Sequence, residues 1–244
     1  MFVLTRAHER FYREELPPAE NSCILVQPEN RGTGVAIIAA ILGITQCDAD
    51  AVVAFFPCDH YYSDDNAFTL TIRSAIAFAE EHPTSLILLG AQAHYPEVEY
   101  GWIEPGPATR DLPLSRVNRF WEKPSLPKAR ALLRRGCLWN TFVTIGRAET
   151  FLELLCSEIR DGVLSVAAAL TDKDLDSAFR GVRAVDFSHE VLAPQPHRLL
   201  VVRDAVSGWA DLGNTTRVID TLVRNNIEPA WLREMRIEAE VVKS

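Results

Sequence analysis

The chain has 244 residues, 48% of them hydrophobic and 24% charged, which suits one globular unit able to bury a substantial core. A net charge of -8 and a pI near 5.3 exclude a nucleic-acid surface, which needs a concentrated Lys/Arg face. A small anionic substrate would then need a local basic site or a metal. The five cysteines (Cys23, Cys47, Cys58, Cys137, Cys156) lie in apolar stretches with no CxxC pair and no zinc-finger histidine, so they read as reduced and mostly buried. The start, MFVLTRAHERFYREEL, is too charged for a signal peptide, and no apolar run approaches membrane-spanning length. The expected setting is cytoplasmic, with no membrane or nucleic-acid partner.

In chain order, FVLT predicts a strand and RAHERFYREEL a helix. The runs CILVQ (23–27), AVVAFF (51–56), SLILLG (85–90) and LLVVR (199–203) are short, apolar and β-branched, as in strands covered on both faces. Between the first three lie GVAIIAAILGITQ (34–46) and NAFTLTIRSAIAFAEEH (66–82), both periodic enough for helices. This alternation predicts an α/β fold with a largely parallel sheet. After residue 96, YGWIE, VNRFWEKP and LWNTFVTI are shorter, aromatic-rich and separated by Pro/Gly turns, as expected of an added antiparallel or mixed layer walling a cleft. Helices are expected around 147–170 and 213–240. No repeat or linker divides residues 1–244, so one domain is expected.

Several polar residues sit where chemistry could occur. Asp59 follows an apolar run, just past the carboxyl end of a strand expected to be central, where open α/β sheets bind ligands; it equally fits a turn cap. Asp211 lies in the glycine-bracketed GWADLG, where backbone can approach a ligand, or else caps the helix starting near Gly213. In WEKP, Pro124 favours an extended backbone at Lys123, so that Glu122 and Lys123 point to opposite faces; they also fit a solvated charge pair. Asn140, in an apolar strand, needs hydrogen-bond partners if buried. QPENRGTG brings Gln27, Arg31 and Thr33 to a helix start whose amides could meet an anion or a nucleobase edge, or which is simply capped by Thr33.

Four stretches, QPENRGTGVAI (27–37), FFPCDHYY (55–62), FWEKPSLPKARALLRRGCLWNTFV (120–143) and SGWADLGN (207–214), resemble in order and spacing the motifs of sugar-1-phosphate nucleotidyltransferases. They are most similar to the EPxxRNTAPAI, PSDH, FxEKP with GxxWNSG, and GWSDVG of mannose-1-phosphate guanylyltransferases. The resemblance runs from about Phe2 to about Leu222. It implies a Rossmann-like, doubly wound mixed sheet and transfer of a nucleotidyl group from a nucleoside triphosphate, GTP by this likeness, to a sugar 1-phosphate, mannose 1-phosphate by the same likeness, with release of pyrophosphate. It further implies Mg²⁺ held by Asp59 and Asp211, with Lys123 completing the catalytic set and Gln27, Arg31, Thr33, Gly101, Glu122 and Asn140 binding substrate. Tyr100-Gly101 resembles a Gly-Tyr-Gly stretch on the sugar side, and Glu122 with Lys123 is assigned to the sugar phosphate. A homo-oligomer is left open.

The sequence also departs from the pattern. Gln27 replaces an acidic residue that suits guanine, and glutamine is typical of relatives using thymidine or uridine triphosphates. Thr141-Phe142 replaces Ser-Gly, and Phe142 is expected to narrow the sugar pocket. The family's opening strand and GGxGxRLxPLS…PK loop have no counterpart in these 244 residues, which implies an N-terminally truncated domain lacking its first strand and phosphate loop. The alternative is a non-catalytic homologue that binds sugar phosphate, nucleotide sugar or a partner subunit.

Overall fold

The computed structural model describes residues 1–15, 22–107, 113–172 and 175–233. In chain order it runs β1 (Phe2–Thr5), a 3₁₀ turn, α1 (Glu9–Glu15), β2 (Ile24–Gln27), α2 (Gly32–Thr45), β3 (Val52–Phe55), β4 (His60–Tyr61), α3 (Asp65–Glu81) and β5 (Leu86–Gln92). It continues with β6 (Trp102–Pro105), β7 (Leu114–Trp121), α4 (Leu126–Arg134), β8 (Leu138–Arg147), α5 (Ala148–Asp172), α6 (Leu175–Gly181), β9 (Leu199–Asp204), β10 (Ala210–Asp211) and α7 (Thr215–Arg224).

Six strands form the main sheet in the order β3-β8-β5-β9-β7-β6, with β8 also pairing with β6. Within it only β5 and β9 run parallel; the other pairings are antiparallel. β1 and β2 form a separate parallel pair, and β4 and β10 a short antiparallel one. The sheet is therefore mixed rather than largely parallel. The aromatic strands expected as an added layer are instead built into it, β8 lying between β3 and β5. Apolar runs announce burial but not direction, and direction depends on which edge each chain reaches on returning.

Burial follows the two-residue period of β5. Leu86 and Leu88 face a core with Val35, Ile38 and Ile41 of α2 and Phe151 and Leu155 of α5. Ile87 and Leu89 face the other side, against Ala75, Phe78 and Ala79 of α3 and Val143 and Ile145 of β8. Helices thus cover both faces, the doubly wound arrangement expected. A third cluster gathers Tyr100, Trp102 and Trp139 with Ala129 and Leu132 of α4.

Helix ends correct several expectations. α7 stops at Arg224, where Asn226 turns left-handed (φ 55°), and the chain is helical again over 230–233 after Pro229, so the expected helix is interrupted over 225–229, and residues 234–240 of the expected span lie outside the described residues. Of the cysteines only Cys137 is buried; Cys23, Cys47, Cys58 and Cys156 are exposed, the first three because they flank β2, α2 and β3 rather than sitting inside them. All five are free thiols. Among the described residues, no helix is long and apolar enough to cross a membrane.

Candidate functional site

Among the described residues β3 pairs only with β8 and so ends the sheet rather than occupying its centre. Beyond it Asp59 projects with its side chain 56% exposed. β10 runs back alongside β4, setting Asp211 opposite His60, and the Leu212 amide donates to the Asp59 carbonyl at 2.8 Å. This small ladder places the two aspartates on adjoining chains. His60 supports it from below: its side chain is nearly buried, Nδ1 accepts from the Trp209 indole at 3.1 Å, and the two rings meet edge to face. Burial pushes the His60 imidazole below its ordinary pKa, against the opposing pull of Asp59 and Asp211.

The Asp211 side chain is 19% exposed, and Oδ1 accepts from the Gly213 amide at 2.6 Å and from Arg217 Nη1 at 3.1 Å. No described residue donates to Oδ2. The capping alternative for Asp211 is not met. Asn214, in extended backbone directly before α7, caps the helix by accepting from the Arg217 amide at 3.0 Å. Arg217 is 16% exposed and its Nη2 reaches Glu99 at 2.6 Å and Glu97 at 3.3 Å, with the guanidinium 4.6 Å from the Tyr100 ring centroid.

The sugar-side candidates also meet. The Asn140 amide donates to the Gly101 carbonyl at 2.8 Å, and a Cβ on Gly101 would lie 2.8 Å from Glu122 Oε2 and 3.2 Å from Asn140 Cβ. A side chain at 101 would push the Glu122 carboxylate aside, so glycine suits this convergence. Asn140 Oδ1 accepts from the Phe142 amide at 3.2 Å, and no described residue accepts from its amide nitrogen. Glu122 has a side chain only 12% exposed, and burial, reinforced by Asp186 and opposed by Lys123, pushes its carboxyl pKa up to about 7. The exposed Lys123 ammonium stands 4.0 Å from Glu122 Oε1. Its backbone is left-handed (φ 42°), not extended as Pro124 suggested, because the chain must reverse between β7 and α4 within four residues.

Around QPENRGTG the expected cap is corrected. α2 begins at Gly32, so Thr33 lies inside the first turn, and its hydroxyl accepts from the Phe187 amide at 3.0 Å. The first amides are largely engaged: Gly32 donates to Asn30 Oδ1 and Gly34 to the Val185 carbonyl, each at 2.9 Å. Gly32 has φ 80°, and a Cβ there would fall 2.3 Å from the Val185 oxygen. Two polar atoms remain buried without partners, Gln27 Oε1, on a residue 6% exposed, and Arg31 Nε. Each is a group that a bound ligand would satisfy.

Phe142 packs its ring 6.2 Å from Phe187, edge to face, and joins the α2–α5 core. Its φ of 63° is a glycine conformation, which gives a backbone reason for the Gly of the motif it departs from. A cleft of about 470 Å³, lined in part by Trp139, Trp209, Tyr100, Asp211 and Arg217, does not include Gly101, Glu122 or Asn140. Trp139 and Asn140 are successive strand residues and face opposite sides of β8.

The model of the family described as nucleotidyl transferase matches residues 1–225. This chain belongs to the nucleotidyl transferase family. It is 29% identical over 206 residues to a mannose-1-phosphate guanylyltransferase of Escherichia coli strain K12, covering 78% of this chain and 42% of that one. It is 30% identical over 226 residues to the alginate biosynthesis protein AlgA of Pseudomonas syringae pv. tomato, covering 86% and 45%. The chain spans less than half the length of these curated relatives. Among solved structures, one described as a mannose-1-phosphate geranyltransferase from Thermus thermophilus superposes with TM-score 0.75 at 27% identity, over 90% of this chain and 63% of that one. A mannose-6-phosphate isomerase from Helicobacter pylori shares the fold, with TM-score 0.70 at 21% identity, over 86% of this chain and 83% of that one.

Two further residues of the candidate site lie outside the motifs of the sequence. Asp186 stands on the segment that clamps the start of α2, through Val185 and Phe187, and its charge acts on Glu122. Its only local signal is an acid just ahead of a helical turn, and its Oδ1 accepts from the His189 amide at 2.9 Å. Arg217 carried no signal, because nothing local announces that a helical arginine will meet three carboxylates brought from two other segments.

Proposed function

We propose that this chain carries the transfer of a nucleotidyl group from a nucleoside triphosphate to a sugar 1-phosphate. The observation that carries the reading is the β4–β10 ladder, which brings Asp59 and Asp211 together beside His60. A phosphate oxygen of the sugar attacks the α-phosphorus, the bond to the β-phosphate breaks, and pyrophosphate leaves. Such a reaction needs alignment and charge neutralisation more than a general base.

Mg²⁺ fits the donors present. Asp59 is open to solvent, Asp211 keeps Oδ2 free, and both are hard oxygen ligands of the kind this ion takes, one or two at a time, while keeping waters. Among the described residues no three His, Cys, Asp or Glu gather into a cage. When bound, the ion would neutralise phosphate charge. The protein's own part is to orient the sugar through Asn140 and Glu122, meet its phosphate with Lys123, and hold the triphosphate end near Arg31 and Thr33.

Mannose 1-phosphate and GTP are the substrates favoured by likeness to the guanylyltransferases. Gln27 qualifies the base, because a carboxamide offers an acceptor and a donor where a carboxylate offers acceptors alone. The test is pyrophosphate release with Mg²⁺ and mannose 1-phosphate, in parallel with GTP, UTP and dTTP, beside an Asp59→Asn control. Release that falls about 100-fold or more in the variant is expected. Silence with every triphosphate, in a folded sample, refutes transfer and leaves a binding module.

A further inference from the structure

Arg217 is the most heavily engaged charge among the described residues, and the metal reading gives it no task. Its Nη1 holds Asp211 Oδ1, its Nη2 holds Glu99 and Glu97, and Tyr100 packs on its face. Asp211 and Glu97 are 19% and 15% exposed, so this is a half-buried cluster in which one cation stands among three carboxylates. The position of Arg217 is fixed twice, by the Asn214 cap on its own amide and by the guanidinium contacts.

The chemistry of this arrangement is specific. A guanidinium is a rigid planar fork that keeps its carboxylates at its periphery and takes no part in metal binding. Together with the Gly213 amide it occupies Oδ1 and leaves Asp211 a single oxygen, Oδ2, to offer an ion. Without the fork, the negative charge of Asp211, Glu97 and Glu99 would stand unopposed, which strengthens the pull on a divalent ion. The ion would then be drawn towards Glu97 and Glu99 and away from the Asp59 side. Glu97 and Glu99 also lead directly into Tyr100 and Gly101, so the same fork ties the sugar-side strand to the β4–β10 ladder.

We propose that Arg217 is a positioning residue that holds Asp211 in a one-oxygen mode and prevents Glu97 and Glu99 from joining it around an ion. This rests on the reading of Asp211 as an ion ligand. The consequence is a split that ordinary structural damage does not produce: removing the fork tightens ion binding while slowing turnover.

The experiment is a Mn²⁺ titration of the full chain followed by the electron-spin signal of free Mn²⁺, with turnover measured alongside. Arg217→Gln is expected to bind Mn²⁺ about tenfold more tightly and Arg217→Lys about threefold, both with reduced kcat, and Arg217→Gln combined with Glu99→Gln returns towards the wild-type affinity. Asp211→Asn separates the two readings, since loss of Mn²⁺ binding in it supports the ion site itself and unchanged binding removes that site. If Asp211→Asn loses the ion but Arg217→Gln binds no more tightly than wild type, the role of Arg217 is overturned while the site stands. Should Arg217→Gln fail to fold by circular dichroism, a wild-type or weaker affinity in Arg217→Lys overturns it instead.

Discussion

At the scale of the residue, Glu122 shows how a site stores unfavourable electrostatics. Its carboxyl titrates near 7 in the fold against an ordinary 4.5, because burial and Asp186 outweigh Lys123. A raised acid pKa inverts the usual carboxylate case. The folded state holds the proton more tightly than the unfolded chain, so Glu122 costs nothing below about pH 4.5, costs progressively more up to about pH 7, and a constant amount above it. Glu122→Gln is therefore expected to raise stability by roughly 2 kcal/mol at pH 8 and by nothing measurable at pH 4, read from urea unfolding at the two values. An equal gain at both would mean that packing, not charge, sets the effect. On the proposed reading of Glu122 as a sugar-site residue, the same variant is expected to lose sugar-phosphate binding, because a group kept under strain trades stability for function.

At the scale of the element, α7 is set by its first residues. Asn214 supplies the cap and, by fixing the Arg217 amide, aims the guanidinium at Asp211. Asn214→Ala is expected to lower stability by about 1 kcal/mol, measured by thermal or urea unfolding, with Asn214→Asp keeping most of it because either side chain can accept the bond. A loss in Asp equal to that in Ala would exclude capping as the cause. A helix near Gly213 is legible in the sequence, but not whether Asp211 or the Asn three residues later is its cap. Both are good cap residues, and only the extended backbone at Asn214 decides.

At the scale of the whole molecule, α2 is the keystone of the larger core. Val35, Ile37, Ile38, Ala39, Ala40 and Ile41 are all nearly inaccessible, so the helix is covered by β-strands and α5 on most sides rather than along one stripe. Ile38→Ala should cost about 2–5 kcal/mol, seen as a lower urea midpoint with the same slope. A cost under about 1 kcal/mol would mean that the neighbours collapse into the space. Through Gly34 and Thr33 the same helix is pinned to the segment bearing Asp186, so core packing and the candidate site share one rigid support.

Local and periodic features were legible before any fold was known. The apolar runs became β2, β3, β5 and β9, the periodic stretches became α2 and α3, and four motifs together with the Tyr100-Gly101 pair pointed to the family and to the residues that converge, Gly101 with Glu122 and Asn140, and Asp59 with Asp211. Long-range features were not. The direction of β8 and its place between β3 and β5, the left-handed turn at Lys123, the exposure of four cysteines, and the meeting of Arg217 with Asp211, Glu97 and Glu99 all depend on which distant segments return to the same point. Side-chain period and turn chemistry are written within a few residues, whereas pairing partners and the fields of distant charges exist only after the chain has closed on itself.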